Sequence, residues 1–155
     1  ETKRGVPFFF LRVDKAGNVT KRFNATSFNI AEYGGSCPVW NLHTAFRTPG
    51  VILPQFVELP DGEKFFTLAR TTERPVYSMH TQDRRLAISL GCEIKHAHKL
   101  IYTSSFQKPA DENFSKIGIN CYLCLRHNCS QRAHDPLFTE LTTDTSRRGE
   151  TRYES

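Results

Sequence analysis

No apolar run in the 155-residue chain approaches the roughly 20 residues of a membrane-spanning helix, and no signal-peptide pattern opens it. No basic run exceeds two residues, and helix-turn-helix, zinc-finger and basic-zipper patterns are missing. A net charge of +5 and a pI near 9.1 therefore read as attraction for an anionic ligand or as a solvated surface, with direct DNA binding by this stretch disfavoured. Paired catalytic carboxylates, a P-loop and a dinucleotide fingerprint are all absent, as are internal repeats. The first residue is Glu1 rather than Met, so the expectation is a fragment of a longer chain whose missing neighbour carries part of the function.

What is present is ordinary for one globular domain, with 38% hydrophobic and 24% charged residues. The exception is sulfur. Cys37, Cys92, Cys121, Cys124 and Cys129 are odd in number, and three of them fall within nine residues. That argues against a secreted disulfide scaffold and for a reducing, cytoplasmic setting. A C-x2-C turn aims two thiolates at one ion or cluster, and Cys129 adds a third. A tetrahedral zinc or a [4Fe–4S] cluster needs a fourth, for which Cys92 leads and Cys37 is the reserve. Structural zinc usually pairs two short knuckles and only one is present, which tilts the reading towards iron–sulfur. The C-x2-C-x4-C spacing is nevertheless not a standard ferredoxin pattern, and His127 and His134 keep a mixed zinc site open. Haem attachment fails because Leu125 follows Cys124, and no strand–CxxC–helix context supports a thioredoxin-like site. A third reading makes Cys37 a nucleophile at a helix N-terminus with His43 as base, although no orienting acid is identifiable.

The periodicities predict α+β architecture: a single domain with a mostly antiparallel sheet, short helices around it and a Cys-rich C-terminal segment. Val6 to Val13 is almost continuously apolar and reads as a strand buried on both faces. Turn residues Lys15 to Asn18 return it as Val19 to Phe23, and Thr26 to Tyr33 is a weaker strand candidate. A helix is expected from Pro38, with Cys37 near its N-cap and Val39, Leu42, His43 and Phe46 at helical spacing. The preceding Gly34 and Gly35 can leave backbone N–H groups open to an anion. Val51 to Leu59 and Glu63 to Thr71 flank Pro60-Asp61-Gly62 as a second hairpin. Leu86 to Leu90 alternates as a strand and delivers Cys92 to a short helix marked by Ile94, Ala97, His98 and Ile101, with His98 on its apolar face. Tyr102 to Asn120 looks irregular, and Thr142 to Ser155 looks like a polar tail.

Several separated stretches together resemble one known family. They are Gly5 to Phe10, Lys21 to Phe23, Gly34 to Asn41, Ala45-Phe46 with Pro49-Gly50, Leu90 to Cys92 with His96-Ala97, and Cys121 to Cys124 through Cys129 to Ala133. In this order they resemble the C-terminal sensor domain of the short-chain fatty acyl regulators, bacterial transcription factors of acetate or propionate metabolism. The resemblance covers about residues 5–140. It implies a regulatory domain over residues 1–140 and a tail over 141–155, with an N-terminal DNA-binding domain outside this fragment. It further implies binding of coenzyme A or a short-chain acyl-coenzyme A, a [4Fe–4S] cluster, homo-oligomerisation, and no enzymatic activity, with DNA reached only through the other domain and no membrane contact. The implied cluster ligands are Cys92, Cys121, Cys124 and Cys129, with Cys37 also matching a family cysteine. Ser130 stands where the family usually has proline, a change that removes no ligand. Coenzyme A phosphates call for arginine, lysine or open N–H groups, so Lys21, Arg22, Arg47, Arg70, Gly34 and Gly35 are the candidates. Phe8, Phe10 and Trp40 are candidates to line the pantetheine or adenine, and Arg132 is expected near the cluster. A zinc-stabilised interaction module is the alternative.

Overall fold

The computed structural model describes residues 5–29, 35–73, 85–100, 114–134 and 136–137. Asp14 and Gly17 make the first turn. The Asp14 carboxylate accepts the backbone N–H groups of Ala16 and Asn18 at 2.9 Å, and Gly17 supplies a positive φ of 83°. The turn joins β1 (Phe9–Val13) to β2 (Val19–Asn24). β3 (Leu53–Glu58) and β4 (Lys64–Thr72) meet at Asp61-Gly62, where the Asp61 side chain accepts the Glu63 N–H and Gly62 has φ 87°. β5 (Leu86–Glu93) lies between the two hairpins, giving the order β2-β1-β5-β4-β3-β6. All pairings are antiparallel except that of β3 with the two-residue β6 (Ser115–Lys116), which lies in a stretch expected to be irregular.

One face of this sheet carries the core. Phe9, Leu11 and Val13 of β1, Ala87 of β5, Phe65 and Ala69 of β4 and Val57 of β3 are buried under Phe28, Cys37, Trp40, Leu42, Ala45 and Ile117. The rings of Phe9 and Phe28 stack at 4.1 Å, with Trp40 and Phe65 edge-on to Phe9. Gly91 opposes Phe9 in the register, and a Cβ there would run into the Phe9 ring. β1 was expected to be buried on both faces. Instead Phe10 and Arg12 are half-buried on the face away from the core, so the strand alternates despite its apolar composition.

The expected helices are shorter than their spacing implied. The first is α1 (Asn41–Thr44), running on as a 3₁₀ turn over Ala45–Arg47, and its N-cap is Trp40 rather than Cys37. Docking to β3 decides where it starts: Gln55 Oε1 accepts the Asn41 N–H at 2.9 Å, and the Asn41 side chain donates to the Leu53 carbonyl. Ile94–Lys99 is a 3₁₀ helix that buries Ala97 and leaves His98 exposed, contrary to its expected place on an apolar face. Residues 25–29 form no strand; the Asn24 and Thr26 side chains bond the local backbone there instead. Gly34 and the 141–155 tail lie outside the described residues.

Candidate functional site

The cysteine segment leaves β6 through Ile117 and Gly118 and turns at a 3₁₀ turn, Cys121–Leu123, capped by the Asn120 side chain, which accepts the Leu123 N–H at 3.0 Å. Two arginines hold it. The Arg126 guanidinium donates to the Ile117 and Glu58 carbonyls, hooking the loop to the end of β3. The Arg132 guanidinium donates to the carbonyls of Cys121, Cys124, Arg126 and His134. One planar fork thus gathers backbone from both ends of the loop, a geometry suited to arginine and not to lysine. Ala133 N–H points at Cys121 Sγ at 3.4 Å, and the Tyr122 and His134 rings stack at 4.5 Å.

Cys37 meets this loop from the core side. Burial pushes its thiol pKa up, the backbone N–H groups of Gly118 and Val39 pull it down, and the neighbouring thiols of Cys121 and Cys124 push it up further. Gly118 is the shared wall, since a Cβ there would stand 2.8 Å from Cys124 Sγ. Cys37, Cys121 and Cys124 therefore converge on one side of the sheet, with half-buried Cys129 further along the loop beside Asn128, whose φ is 55°. Among the described residues no group of three or more His, Cys, Asp or Glu side chains is closed tightly enough to hold a metal ion.

Cys92 is elsewhere. The β4–β5 register pairs it with Phe66, on the sheet face away from Cys37, where it is fully buried and its thiol pKa is raised to about 11 by burial and then by the Glu93 charge. Of the two candidates for a fourth ligand, the structure brings Cys37 and not Cys92 to Cys121 and Cys124. Sequence spacing had favoured Cys92, because spacing cannot say which face of a strand a residue takes.

The nucleophile reading of Cys37 is also corrected. Its thiol is buried with a raised pKa, the opposite of an activated thiolate. His43 does not serve it: the ring Nε2 lies 3.0 Å from Ser36 Oγ, the Cys37 backbone accepts from the ring, and burial lowers its pKa. A cavity of about 240 Å³ opens on Cys121 between His43 and the Tyr122–His134 stack.

The proposed ligand residues divide. Trp40 is buried against Phe9 and Phe28, in the core. Gly35 is not at a helix entrance: it bridges to Asn18, well ahead of the four-residue α1. Arg22 pairs in register with Leu11 on the edge strand, and Arg47 ends the 3₁₀ turn, both exposed and apart from the others. Phe8 is half-buried just ahead of β1. Phe10, Lys21 and Arg70 do come to one surface, the sheet face away from the core, where the register sets Phe10 opposite Phe23 and Leu90, Lys21 opposite Arg12, and Arg70 opposite Ile88. Arg12, Phe23, Leu68 and Leu90 were not proposed as ligand contacts from the sequence. The signal that finds them is the strand alternation once the pairing partners are known. Arg70 and Ile88 also line a cavity of about 480 Å³ with Pro49, Gly50 and Glu73.

A family model described as short-chain fatty acyl coenzyme A regulator, C-terminal, matches residues 1–153. The chain is 47% identical over 151 residues to a propionyl-CoA carboxylase regulator of Cereibacter sphaeroides, covering 97% of this chain and 32% of that protein. It is 43% identical to the HTH-type transcriptional regulator RamB of Mycobacterium tuberculosis over 146 residues, covering 93% of this chain and 31% of the relative. A solved Mycobacterium tuberculosis transcriptional regulator superposes with a TM-score of 0.89 at 38% identity, covering 99% of this chain and 47% of that one. The chain spans about a third of the length of these curated relatives.

Proposed function

The chain belongs to the short-chain fatty acyl coenzyme A regulator family, and on that premise we propose that it is the ligand-sensing part of a transcription regulator, binding coenzyme A or a short-chain acyl-coenzyme A and holding a [4Fe–4S] cluster. The observation that carries the reading is the family match over residues 1–153. It performs no catalysis of its own; the sensed state passes to DNA through another part of the regulator, in keeping with the HTH-type name of one relative. Self-association of the regulator belongs to the same proposal.

The donor set supports a soft metal centre. Three thiols converge beside Gly118, and the Arg132 fork holds the carbonyls of two of them. Cys37, Cys121, Cys124 and Cys129 would hold the cluster, all through thiolate sulfur. When bound, the cluster supplies a strong cross-link between the core-side Cys37 and the loop, together with a redox-active centre. The chain's residues supply the rest: Arg126 anchors the loop to β3, and Arg132 orients it.

Anaerobic purification with iron and sulfide quantification and a visible spectrum tests the centre. Broad absorption near ~400 nm with cluster stoichiometry is expected, and stoichiometric zinc without it would sink the cluster. Calorimetry with propionyl-coenzyme A tests the sensing, with binding expected. No heat of binding from cluster-loaded protein would remove the sensor reading.

A further inference from the structure

We propose that the exposed apolar side of the cysteine loop, made by Tyr122, Leu123, Leu125 and Leu137, docks within the same regulator on an apolar, acid-bearing segment of the polypeptide outside these 155 residues. This goes beyond the sensing reading above and rests on the chain being one part of a longer regulator.

The loop turns a thiol inward and its leucines outward. Cys124 has extended backbone, with φ −93° and ψ 118°, so successive side chains point to opposite sides. Cys124 is buried, and its neighbours Leu123 and Leu125 stand 44% and 57% exposed on the other side. Leu137 joins them from further along the chain, because its N–H donates to the Tyr122 carbonyl at 2.9 Å. The Tyr122 ring is fixed in turn by its parallel stack on His134. Among the described residues, four of the eight exposed large hydrophobic side chains thus belong to this one loop. Singly exposed apolar residues are ordinary on a surface, whereas a group tied together by backbone and ring contacts marks a contact site. The loop's own shape does not depend on these side chains, since Arg126 and Arg132 hold it through backbone carbonyls.

Charge selects the occupant. Residues 114–134 contain Lys116, Arg126 and Arg132 and no Asp or Glu. A two-fold contact with a second copy would set these cations against one another, and like-charge repulsion opposes it. A surface that carries carboxylates around an apolar centre complements the loop instead. Size points the same way. Four large side chains fall well short of the roughly 20–30 residues a side that a contact between free partners uses. A covalently joined segment needs less, because its tether holds it at an effective concentration of about millimolar. The relatives carry chain that could supply it: the match covers 32% and 31% of two curated regulators and 47% of the solved one, leaving more than half of each outside.

Photo-cross-linking in the full-length regulator tests the contact, with benzoylphenylalanine in place of Leu125. A cross-link to a peptide outside residues 1–155 is expected, and none from the same probe in place of Val51, which is equally exposed but away from the loop. A cross-link to residues 1–155 of a second copy, told apart by mixing isotopically labelled and unlabelled protein, overturns the proposal, as does no cross-link at all. A second readout is proteolysis between this domain and the rest of the regulator. The Leu123→Glu/Leu125→Glu double variant is expected to be cleaved there about tenfold faster or more, with amide exchange in β1 and β5 unchanged. Cleavage at the unaltered rate overturns the proposal. Calorimetry of the full-length regulator with propionyl-coenzyme A separates this contact from the sensing reading. A cross-link without propionyl-coenzyme A binding supports the contact and removes the sensing reading, and binding without a cross-link does the reverse.

Discussion

At the scale of single residues, Cys37, Cys92 and Gly118 set what surrounds the clustered thiols. Cys37 and Cys92 are both buried thiols with raised pKa values, yet only Cys37 faces Cys121 and Cys124. Cys37→Ser is therefore expected to lower metal content per chain. Cys92→Ser should leave metal content unchanged and cost about 1–3 kcal/mol, because it buries a hydroxyl in an apolar setting. Metal analysis beside denaturant melts checks the pair, and the reverse pattern would return Cys92 to the ligand set. Cys92 also makes stability pH-dependent. Its folded pKa of about 11 lies above the ordinary 9.0, so its contribution is whole below pH 9.0 and is lost as pH rises towards 11. Roughly 2 kcal/mol should disappear over that window, and Cys92→Ala should show a shallower decline in melts run across it. Gly118 leaves no room for a side chain between the thiols; Gly118→Ala must push Cys124 away and is expected to reduce metal loading as well as stability, the latter by about 1–3 kcal/mol.

Among the elements, the cysteine loop owes its shape to two guanidiniums and not to regular secondary structure. Its only helical piece is the three-residue turn Cys121–Leu123. Arg132→Lys keeps the charge and loses the fork, so at most part of the set of carbonyls at Cys121, Cys124, Arg126 and His134 can still be held. Amide exchange across 121–134 should accelerate at least about tenfold, corresponding to about 1.4 kcal/mol of lost local stability, with exchange in β1 and β5 unchanged. Uniform acceleration through the sheet would instead mean that the loop and sheet open together. In β5, Gly91 is needed for the Phe9 ring to sit flat on the sheet. The short helices show the same dependence on neighbours: helical spacing was real, but α1 starts where Asn41 reaches β3 and stops after one turn.

The molecule as a whole is a sheet with two unlike faces, one packed under α1 and the cysteine loop, the other bearing an apolar row beside a basic one. Most of the core cluster is made by the strands and α1, with Cys37 its only cysteine. Removing metal should therefore loosen the loop without unfolding the sheet. Chelator-treated protein is expected to keep a cooperative thermal transition and the strand signal in circular dichroism. Collapse of both would mean that the metal, and not the sheet, holds the domain together. None of the described helices is long and apolar enough to cross a membrane.

The sequence by itself determined the two hairpins, because Asp14 to Gly17 and Asp61-Gly62 impose turns through their own backbones and side chains whatever surrounds them. It determined the sheet class and the family by its ordered motifs, and it marked the clustered thiols as a donor set by their spacing. Tertiary structure alone decided which thiol faces the clustered ones and which basic and aromatic residues share a surface. Both depend on strand order and register, and a strand's two faces are interchangeable until its neighbours are known. Cys92 therefore moved to the far face, Trp40 moved into the core, and Arg12 and Phe23 joined Phe10, Lys21 and Arg70 on the open side of the sheet.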